Sequence, residues 1–280
     1  MKRYRHVLLL QPIHHVDLND DVLREILSHA DIQSVFRLCQ VNKTLSHQHD
    51  DLFRHIYELQ YSQTDMADFK TADMTWFKLL KLCYQLSRLL ILLPSLKNYT
   101  MTALYTKTKL NLYNQKIKIL PPEIGQLSAL QKLYLSENQL NALPPEINRL
   151  SALQKLNLSN NQLSALPPEM GQLSALQELV LSYNQLSALP QEIGHIRTLQ
   201  YLYLSYNQLS ALPPEMGQLS NLQILSLTNN QLSALPPEIG HLNKLKQLTL
   251  SYNQLSALPP EMGHLSHLHY LNLSYNKLNA

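Results

Sequence analysis

Leucine recurs along residues 104–280 at a fixed set of positions, and the whole set repeats after 23 residues. Residues 150–172 read LSALQKLNLSNNQLSALPPEMGQ, and residues 173–195 repeat this segment with few changes. In each unit the motif L-x-L alternates apolar and polar positions, which is typical of a strand with one buried face. A period of this length predicts a solenoid with one structural unit per repeat.

Asparagine and glycine occupy two further columns of the repeat. Asparagine follows the strand in seven successive units, and we expect its buried amide to satisfy backbone groups that would otherwise lack partners. All six glycines of the chain lie in the other column, where Asn148 replaces the missing member. Because glycine and asparagine best tolerate a left-handed backbone, the sequence predicts a left-handed turn there, after a short convex segment that begins at Pro-Pro-Glu.

The repeating pattern LxxLxLxxNxLxxLPxxI resembles the typical class of leucine-rich repeats. The resemblance covers residues 104–280 and implies an α/β solenoid of eight units, the last one truncated. Its short parallel strands would line a concave β-sheet, which is the usual binding face of such a solenoid. With the helical segment that precedes the repeats, the expected fold class is α+β overall.

Residues 17–103 lack glycine and the repeat, and they predict helices. In residues 17–30 (DLNDDVLREILSHA) the apolar residues mark one helical face, and Asn19 is a suitable N-cap. Residues 75–93 (TWFKLLKLCYQLSRLLILL) predict a strongly apolar helix that ends before Pro94.

The segment LNDDVLREILSHADIQSVFRLCQVNKTLSHQHDDLF is similar to an F-box. It departs from that family's pattern at Asn19, Asn42 and Leu45, where the family has proline, cysteine and tryptophan. The resemblance implies docking on the Skp adaptor of a cullin–RING ubiquitin ligase. The residues that it assigns to adaptor binding are Leu18, Leu23, Ile26, Leu27 and Val41.

These patterns divide the chain into four segments. We expect a lead-in at 1–16, an F-box-like helical domain at 17–60, a helical linker and N-terminal cap at 61–103, and the solenoid at 104–280. A second interpretation is that all the N-terminal helices serve only as a cap, because the first unit of a repeat array has an apolar edge that must be covered.

Composition argues against several other functions. The net charge is only +3, and the lysines gather at the first units without forming a basic stripe, so we expect no nucleic-acid partner. All glycines lie in one column of the repeat, so the sequence has no glycine-rich loop of the kind that binds phosphate groups. No serine lies in the motif GxSxG, which marks the nucleophile of many hydrolases. The histidines and the two cysteines lack metal-ligand spacing. We therefore predict a non-enzymatic protein without a cofactor, a metal site or a membrane-inserted segment.

Tyrosine is concentrated at the predicted outward positions of the strands. A tyrosine side chain combines rigid contact area with a polar tip and is enriched at protein interfaces. Tyrosine also suits a strand surface for structural reasons alone. The residues predicted to bind a target protein are Tyr134, Tyr183, Tyr201, Tyr203, Tyr206, Tyr252, Tyr270 and Tyr275.

The leading functional hypothesis is a substrate receptor of an SCF-type ligase, with an Skp adaptor and an unidentified target protein as its partners. The alternative is a scaffold or signalling adaptor similar to the Ras-binding leucine-rich-repeat proteins. The near-identical repeats also resemble those of effector-type proteins from intracellular bacteria or large viruses. We expect a cytoplasmic protein, which would be located in the host cytosol if it is such a virulence effector.

Overall fold

The computed structural model describes residues 53–54, 57–58, 61, 66–67, 74 and 76–278. It divides into two compact units, of which the first extends to Arg88 and includes Thr100–Thr102. The second unit contains Leu89–Tyr99 and the chain from Ala103 onward. The four segments inferred from the sequence remain predictions.

In the first unit, three aromatic residues at a spacing of four are helical and buried. They are Phe53, Tyr57 and Tyr61, and the rings of the last two lie 6.2 Å apart. On the exposed side of the same segment, Arg54 donates a hydrogen bond to the Glu58 carboxylate at 2.9 Å. Residues four apart lie on one face of a helix, so this segment has a buried and an exposed face.

Helix α1 spans Trp76–Leu92, which confirms the helix predicted for residues 75–93. In its first-unit part, Leu79, Leu82, Cys83 and Leu86 are buried at helical spacing. The last helical hydrogen bond joins the Leu93 N–H to the Leu89 carbonyl, and Pro94, which has no N–H, begins a short 3₁₀ turn. A second helix, α2, spans Met101–Tyr105.

The described residues of the second unit include eight strands of three residues each. They form one parallel sheet in sequence order, and each residue pairs with the residue 23 positions later, as Leu110 does with Leu133. The strands are β1 Lys109–Asn111, β2 Lys132–Tyr134, β3 Lys155–Asn157, β4 Glu178–Val180, β5 Tyr201–Tyr203, β6 Ile224–Ser226, β7 Gln247–Thr249 and β8 Tyr270–Asn272.

Short 3₁₀ segments lie between the strands and stack on one another. Each begins at the residue after the first proline of Pro-Pro-Glu or its counterpart, where a fixed φ suits the first turn. Their bounds are Pro122–Gln126, Pro145–Arg149, Pro168–Gln172, Gln191–His195, Pro214–Gln218, Pro237–His241 and Pro260–His264. The predicted repeat solenoid, with a parallel sheet on one face, is thus confirmed for this unit.

Leucine columns fill the space between the sheet and the 3₁₀ segments. The central strand leucines from Leu110 to Leu248 are almost completely buried. In β8, which has a neighbouring strand on one side only, Leu271 is 41% exposed. Burial of each unit therefore depends on the units that flank it, as expected for a stacked repeat.

The asparagine column forms the ladder of buried amides that the sequence predicted. The Asn207 Oδ1 accepts a hydrogen bond from the Leu186 N–H, and its Nδ2 donates to the carbonyls of Leu181 and Leu204, all at 3.0 Å. Its neighbours in the column repeat this pattern. Each asparagine thus joins its own unit to the preceding one through groups that are shielded from water.

The prediction of a left-handed turn at the glycine column is wrong. None of the glycines has a positive φ, and the column is constrained by space instead. A Cβ added to Gly171 would lie 2.4 Å from the carbonyl oxygen of Glu192 in the next unit. Glycine is therefore needed here because the convex segments of successive units approach closely.

None of the helices in the described residues has the length and apolar character needed to cross a bilayer.

Candidate functional site

The outward surface of the sheet, here called the sheet face, consists of three columns of side chains. Two columns are the first and third residues of every strand, which are mostly half-buried. The third column lies just before the asparagine ladder, and we call it the left-handed column because every member has a φ between 52° and 59°. Its members are Asn114, Glu137, Asn160, Tyr183, Tyr206, Asn229, Tyr252 and Tyr275.

Backbone hydrogen bonds between successive units fix the left-handed conformation of this column. At Tyr206 the N–H donates to the Thr228 carbonyl at 2.8 Å, and the carbonyl accepts from the Asn184 N–H at 3.2 Å. A left-handed conformation is unfavourable for a side chain as large as tyrosine and is better tolerated by asparagine. The left-handed conformation was not predicted from the sequence. The signal that could have indicated it is the restriction of the column to asparagine, tyrosine and glutamate.

Four tyrosines of the left-handed column form two stacked pairs. The rings of Tyr183 and Tyr206 are nearly parallel, with centroids 4.3 Å apart, and those of Tyr252 and Tyr275 are 4.2 Å apart. All four side chains are between 42% and 70% exposed. Contiguous exposed aromatic surface of this kind is unusual outside binding sites.

One tyrosine of each stacked pair has a raised pKa. Desolvation, followed by the hydrogen bond with Tyr206, raises the pKa of Tyr183 above its ordinary value. The hydrogen bond with Tyr275 is the main cause that raises the pKa of Tyr252. Tyr183 and Tyr252 therefore stay neutral at physiological pH and offer uncharged ring faces to a partner.

The other predicted target-binding residues lie in the strands. Tyr134, Tyr201 and Tyr203 are half-buried, whereas Tyr270 is 50% exposed. Desolvation, with a smaller effect of the Glu178 charge, raises the pKa of Tyr203. The structure thus places all eight predicted tyrosines on the sheet face, and their role in target binding remains a prediction.

Charge on the sheet face is limited to its first units. The Lys155 ammonium and the Glu178 carboxylate form an ion pair at 2.5 Å, and their hydrogen bond is the main cause that raises the pKa of Lys155. In the first repeat of the array, the Lys109 ammonium lies over the Tyr134 ring, 5.5 Å from its centroid. The later units have neutral side chains at these positions, so the face changes from basic to uncharged along the array.

A shallow groove at the first repeat, within the second unit, was not predicted from the sequence. It has a volume of about 590 Å³ and an apolar wall that includes Leu92, Leu93 and Ile117. Lys116 and Lys118 add positive charge to its lining. Ile119 also lines the groove. Its side chain is 74% exposed, which is unusual for isoleucine.

The described free cysteine is poorly suited to act as a nucleophile. Cys83 is buried, and desolvation raises the pKa of its thiol to about 12, so the reactive thiolate is scarce. Among the described residues, no group of three His, Cys, Asp or Glu side chains is placed to hold a metal ion. The predicted adaptor-binding residues, Leu18, Leu23, Ile26, Leu27 and Val41, lie outside the described residues.

Comparison with protein families gives two matches. The family model for the leucine rich repeat matches residues 108–163, 151–209, 198–255 and 220–278. The family model for the F-box domain matches residues 16–48. Both resemblances identified in the sequence are thus confirmed. A comparison with the curated proteins gives no match.

Solved structures similar to the chain include three leucine-rich-repeat proteins. A leucine-rich-repeat protein of Leptospira interrogans is 35% identical over 67% of this chain, with a TM-score of 0.48. The ectodomain of the Arabidopsis thaliana receptor kinase GASSHO1/SCHENGEN3, in complex with CASPARIAN STRIP INTEGRITY FACTOR 2, is 42% identical over 58%, with a TM-score of 0.55. The plant peptide hormone receptor RGFR1, in complex with RGF2, is 30% identical over 60%, with a TM-score of 0.54. The chain covers 58%, 20% and 28% of these proteins, respectively.

Proposed function

Because the chain belongs to the leucine-rich-repeat family and carries an F-box domain, we propose that it is a substrate receptor of an SCF-type cullin–RING ubiquitin ligase. The observation that carries this proposal is the presence of both modules in one chain. Each is an interaction module, and together they can join two proteins. The F-box would bind the Skp adaptor, and the sheet face would bind the target.

The chain itself would supply no chemistry to the ubiquitin transfer. A receptor that holds adaptor and target together raises the effective concentration of target lysines near the charged conjugating enzyme. Rigid stacking of the units suits this role because the target is held at a defined position. Two of the similar solved structures are receptors in complex with a partner, which supports a binding role for the array.

We further propose that the protein acts in the cytoplasm, where a cullin–RING ligase would be available to it. The buried free thiol of Cys83 is compatible with a reducing compartment. An effector role in a host cell remains a prediction from the resemblance of the repeats.

Adaptor binding is tested by co-elution of the full chain with a purified Skp adaptor. We expect a 1:1 complex at micromolar concentrations, and we expect it to be lost in the variant Ile26→Glu, Val41→Glu, because two carboxylates would be buried at an apolar contact. The matched control is Tyr203→Ser, Tyr206→Asn, in which the sheet face changes and adaptor binding should not. Absence of a complex with the unchanged chain would overturn the ligase proposal and favour the scaffold alternative.

Target capture is tested with the same sheet-face variant, Tyr203→Ser, Tyr206→Asn. The new residues already occupy these two columns at Ser226 and Asn229, so the repeat geometry should be kept. We expect captured proteins to fall by about tenfold or more, since interface tyrosines are frequent hot spots. Quantitative mass spectrometry of proteins crosslinked to each variant is the measurement. Equal capture by the variant and the unchanged chain would show that the target binds elsewhere.

A further inference from the structure

The left-handed column has a gap between its two tyrosine pairs. Tyr206 belongs to one pair and Tyr252 to the other, and between them stands Asn229, whose short side chain is exposed. The φ of Asn229 is 59°, and those of Tyr206 and Tyr252 are 58° and 55°, so the three side chains leave the backbone in the same direction. The column therefore has a slot above Asn229, which we call the Asn229 slot.

The Asn229 slot has the width of one planar group. Neighbouring parallel strands are about 4.8 Å apart, so the backbone positions of Tyr206 and Tyr252, two units apart, are separated by about 9.6 Å. A flat group halfway between two rings that extend from these positions would lie about 4.8 Å from each ring. Tyrosine rings in adjacent units already stack at 4.3 and 4.2 Å. The slot thus repeats the natural spacing of the column with one ring missing.

The walls and floor of the slot differ in chemistry. Each wall is the outer face of a stacked tyrosine, and the face of an aromatic ring carries the negative part of its quadrupole. The floor is the Asn229 amide, which makes no side-chain hydrogen bond to any other described residue. The amide oxygen is therefore available to a donor that enters between the rings.

We propose that the Asn229 slot binds the guanidinium group of an arginine side chain of the target protein. This inference rests on the proposed function, since it specifies the chemistry of the captured partner. A guanidinium is planar, stacks on aromatic faces, and has N–H groups that can donate to the Asn229 amide oxygen. The sheet-face residues of the units from β5 to β7 carry no charge, so no cation repels it.

Other side chains fit the slot less well. Phenylalanine could stack between the rings as the tyrosines of the column do, but it has no donor for the Asn229 amide oxygen. A lysine ammonium is compact and strongly hydrated, so it cannot cover two parallel faces at once. A lysine ammonium can still lie over one ring: elsewhere on the sheet face, the Lys109 ammonium is 5.5 Å from the centroid of the Tyr134 ring. The slot differs because it has two ring faces.

The test uses N-acetyl-arginine amide as the probe and follows its proton resonances by NMR in the presence of the full chain. We expect upfield ring-current shifts that saturate at millimolar concentrations for the arginine probe. N-acetyl-lysine amide and N-acetyl-phenylalanine amide are the matched probes, and they should bind at least about fivefold more weakly. Equal binding of all three probes would overturn the proposal.

Two variants locate the binding in the slot. Asn229→Tyr fills it with a ring and should reduce arginine affinity about tenfold or more. It should fold, because tyrosine already occupies this column in four units. Asn160→Tyr adds a ring outside the slot, next to Tyr183, and should change the affinity by less than about twofold. Tyr206→Asn removes one wall and should weaken binding by about threefold or more.

Retention of arginine binding in Asn229→Tyr would overturn the proposal, as would an equal loss in Asn160→Tyr. Adaptor co-elution separates this result from the ligase proposal. Residue 229 lies outside the F-box match at residues 16–48, so Asn229→Tyr should co-elute with the Skp adaptor as the unchanged chain does. If the slot fails and co-elution succeeds, only the arginine inference is lost. If co-elution fails, the ligase proposal is lost, and the probe titration still decides whether the slot binds arginine.

Discussion

Replacing Asn207 with alanine is expected to lower the free energy of unfolding by about 3 to 5 kcal/mol. The Asn207 amide is the partner of one N–H and two carbonyls, belonging to Leu186, Leu181 and Leu204, all at 3.0 Å. Alanine would leave these buried groups unpaired, and each costs about 1 to 3 kcal/mol when water cannot reach it. The loss should far exceed that of an average surface substitution.

The measurement for Asn207→Ala is urea unfolding monitored by circular dichroism, together with hydrogen exchange at the Leu186 amide. Gln208→Ala is the control, because Gln208 is adjacent and exposed. We expect it to change stability by about 0.5 kcal/mol or less. Exchange is informative because a repeat array can open unit by unit rather than in one transition. A loss below about 1 kcal/mol would show that the ladder is dispensable at this position.

The second large effect is expected at the glycine column, where two positions with the same sequence context should respond differently. In Gly171→Ala the new Cβ would lie 2.4 Å from the Glu192 carbonyl oxygen and 2.9 Å from its Cβ. Real Cβ atoms do not approach this closely, so the convex segments of two units must separate. We expect a loss of about 1 to 3 kcal/mol, the usual range for overpacking.

Gly263→Ala is the matched control for this position. An added Cβ at Gly263 meets nothing within 4 Å, and its φ is not positive. Alanine there should leave stability unchanged or raise it by about 0.5 kcal/mol, because the unfolded chain loses freedom. Equal effects at Gly171 and Gly263 would contradict the steric explanation. Thermal unfolding of both variants under one buffer condition is the measurement.

Asn148 shows why the loss at Gly171 should be moderate. It occupies the same column with a full side chain, and its Nδ2 donates to the Gln172 Oε1 at 2.9 Å. Neighbouring units can therefore adjust to a side chain in this column, which limits the loss expected for Gly171→Ala. Alanine makes no hydrogen bond to offset the adjustment, so some loss of stability should remain.

Much of the repeat architecture could be predicted because its signals are local and periodic. The alternation of L-x-L specifies a strand with one buried face, and the period of 23 residues specifies its pairing with the equivalent strand of the next unit. The asparagine role followed from the requirement that buried backbone groups be paired. The positions of the eight tyrosines on the sheet face followed from the same periodicity.

The reason for the glycines could not be predicted in this way. The glycines indicated that the column is constrained. Glycine is required both where φ is positive and where two backbones approach closely, and the sequence pattern cannot distinguish these two reasons. At Gly171 the decisive contact is with Glu192, in the next unit. That contact depends on how two convex segments stack. The positive φ was instead found in the left-handed column, which includes tyrosines such as Tyr206, whose residue type argues against it.

The sequence by itself determined the modules, the repeat period and the residues that face the core, since these depend on local alternation and on composition. Only the tertiary structure decided which outward residues act together. Tyr183 and Tyr206 form a stacked pair, and Tyr206 and Tyr252 flank an open slot, because strand spacing and a shared left-handed φ align side chains from different units. Such alignment is a property of units in contact, and no single unit contains it.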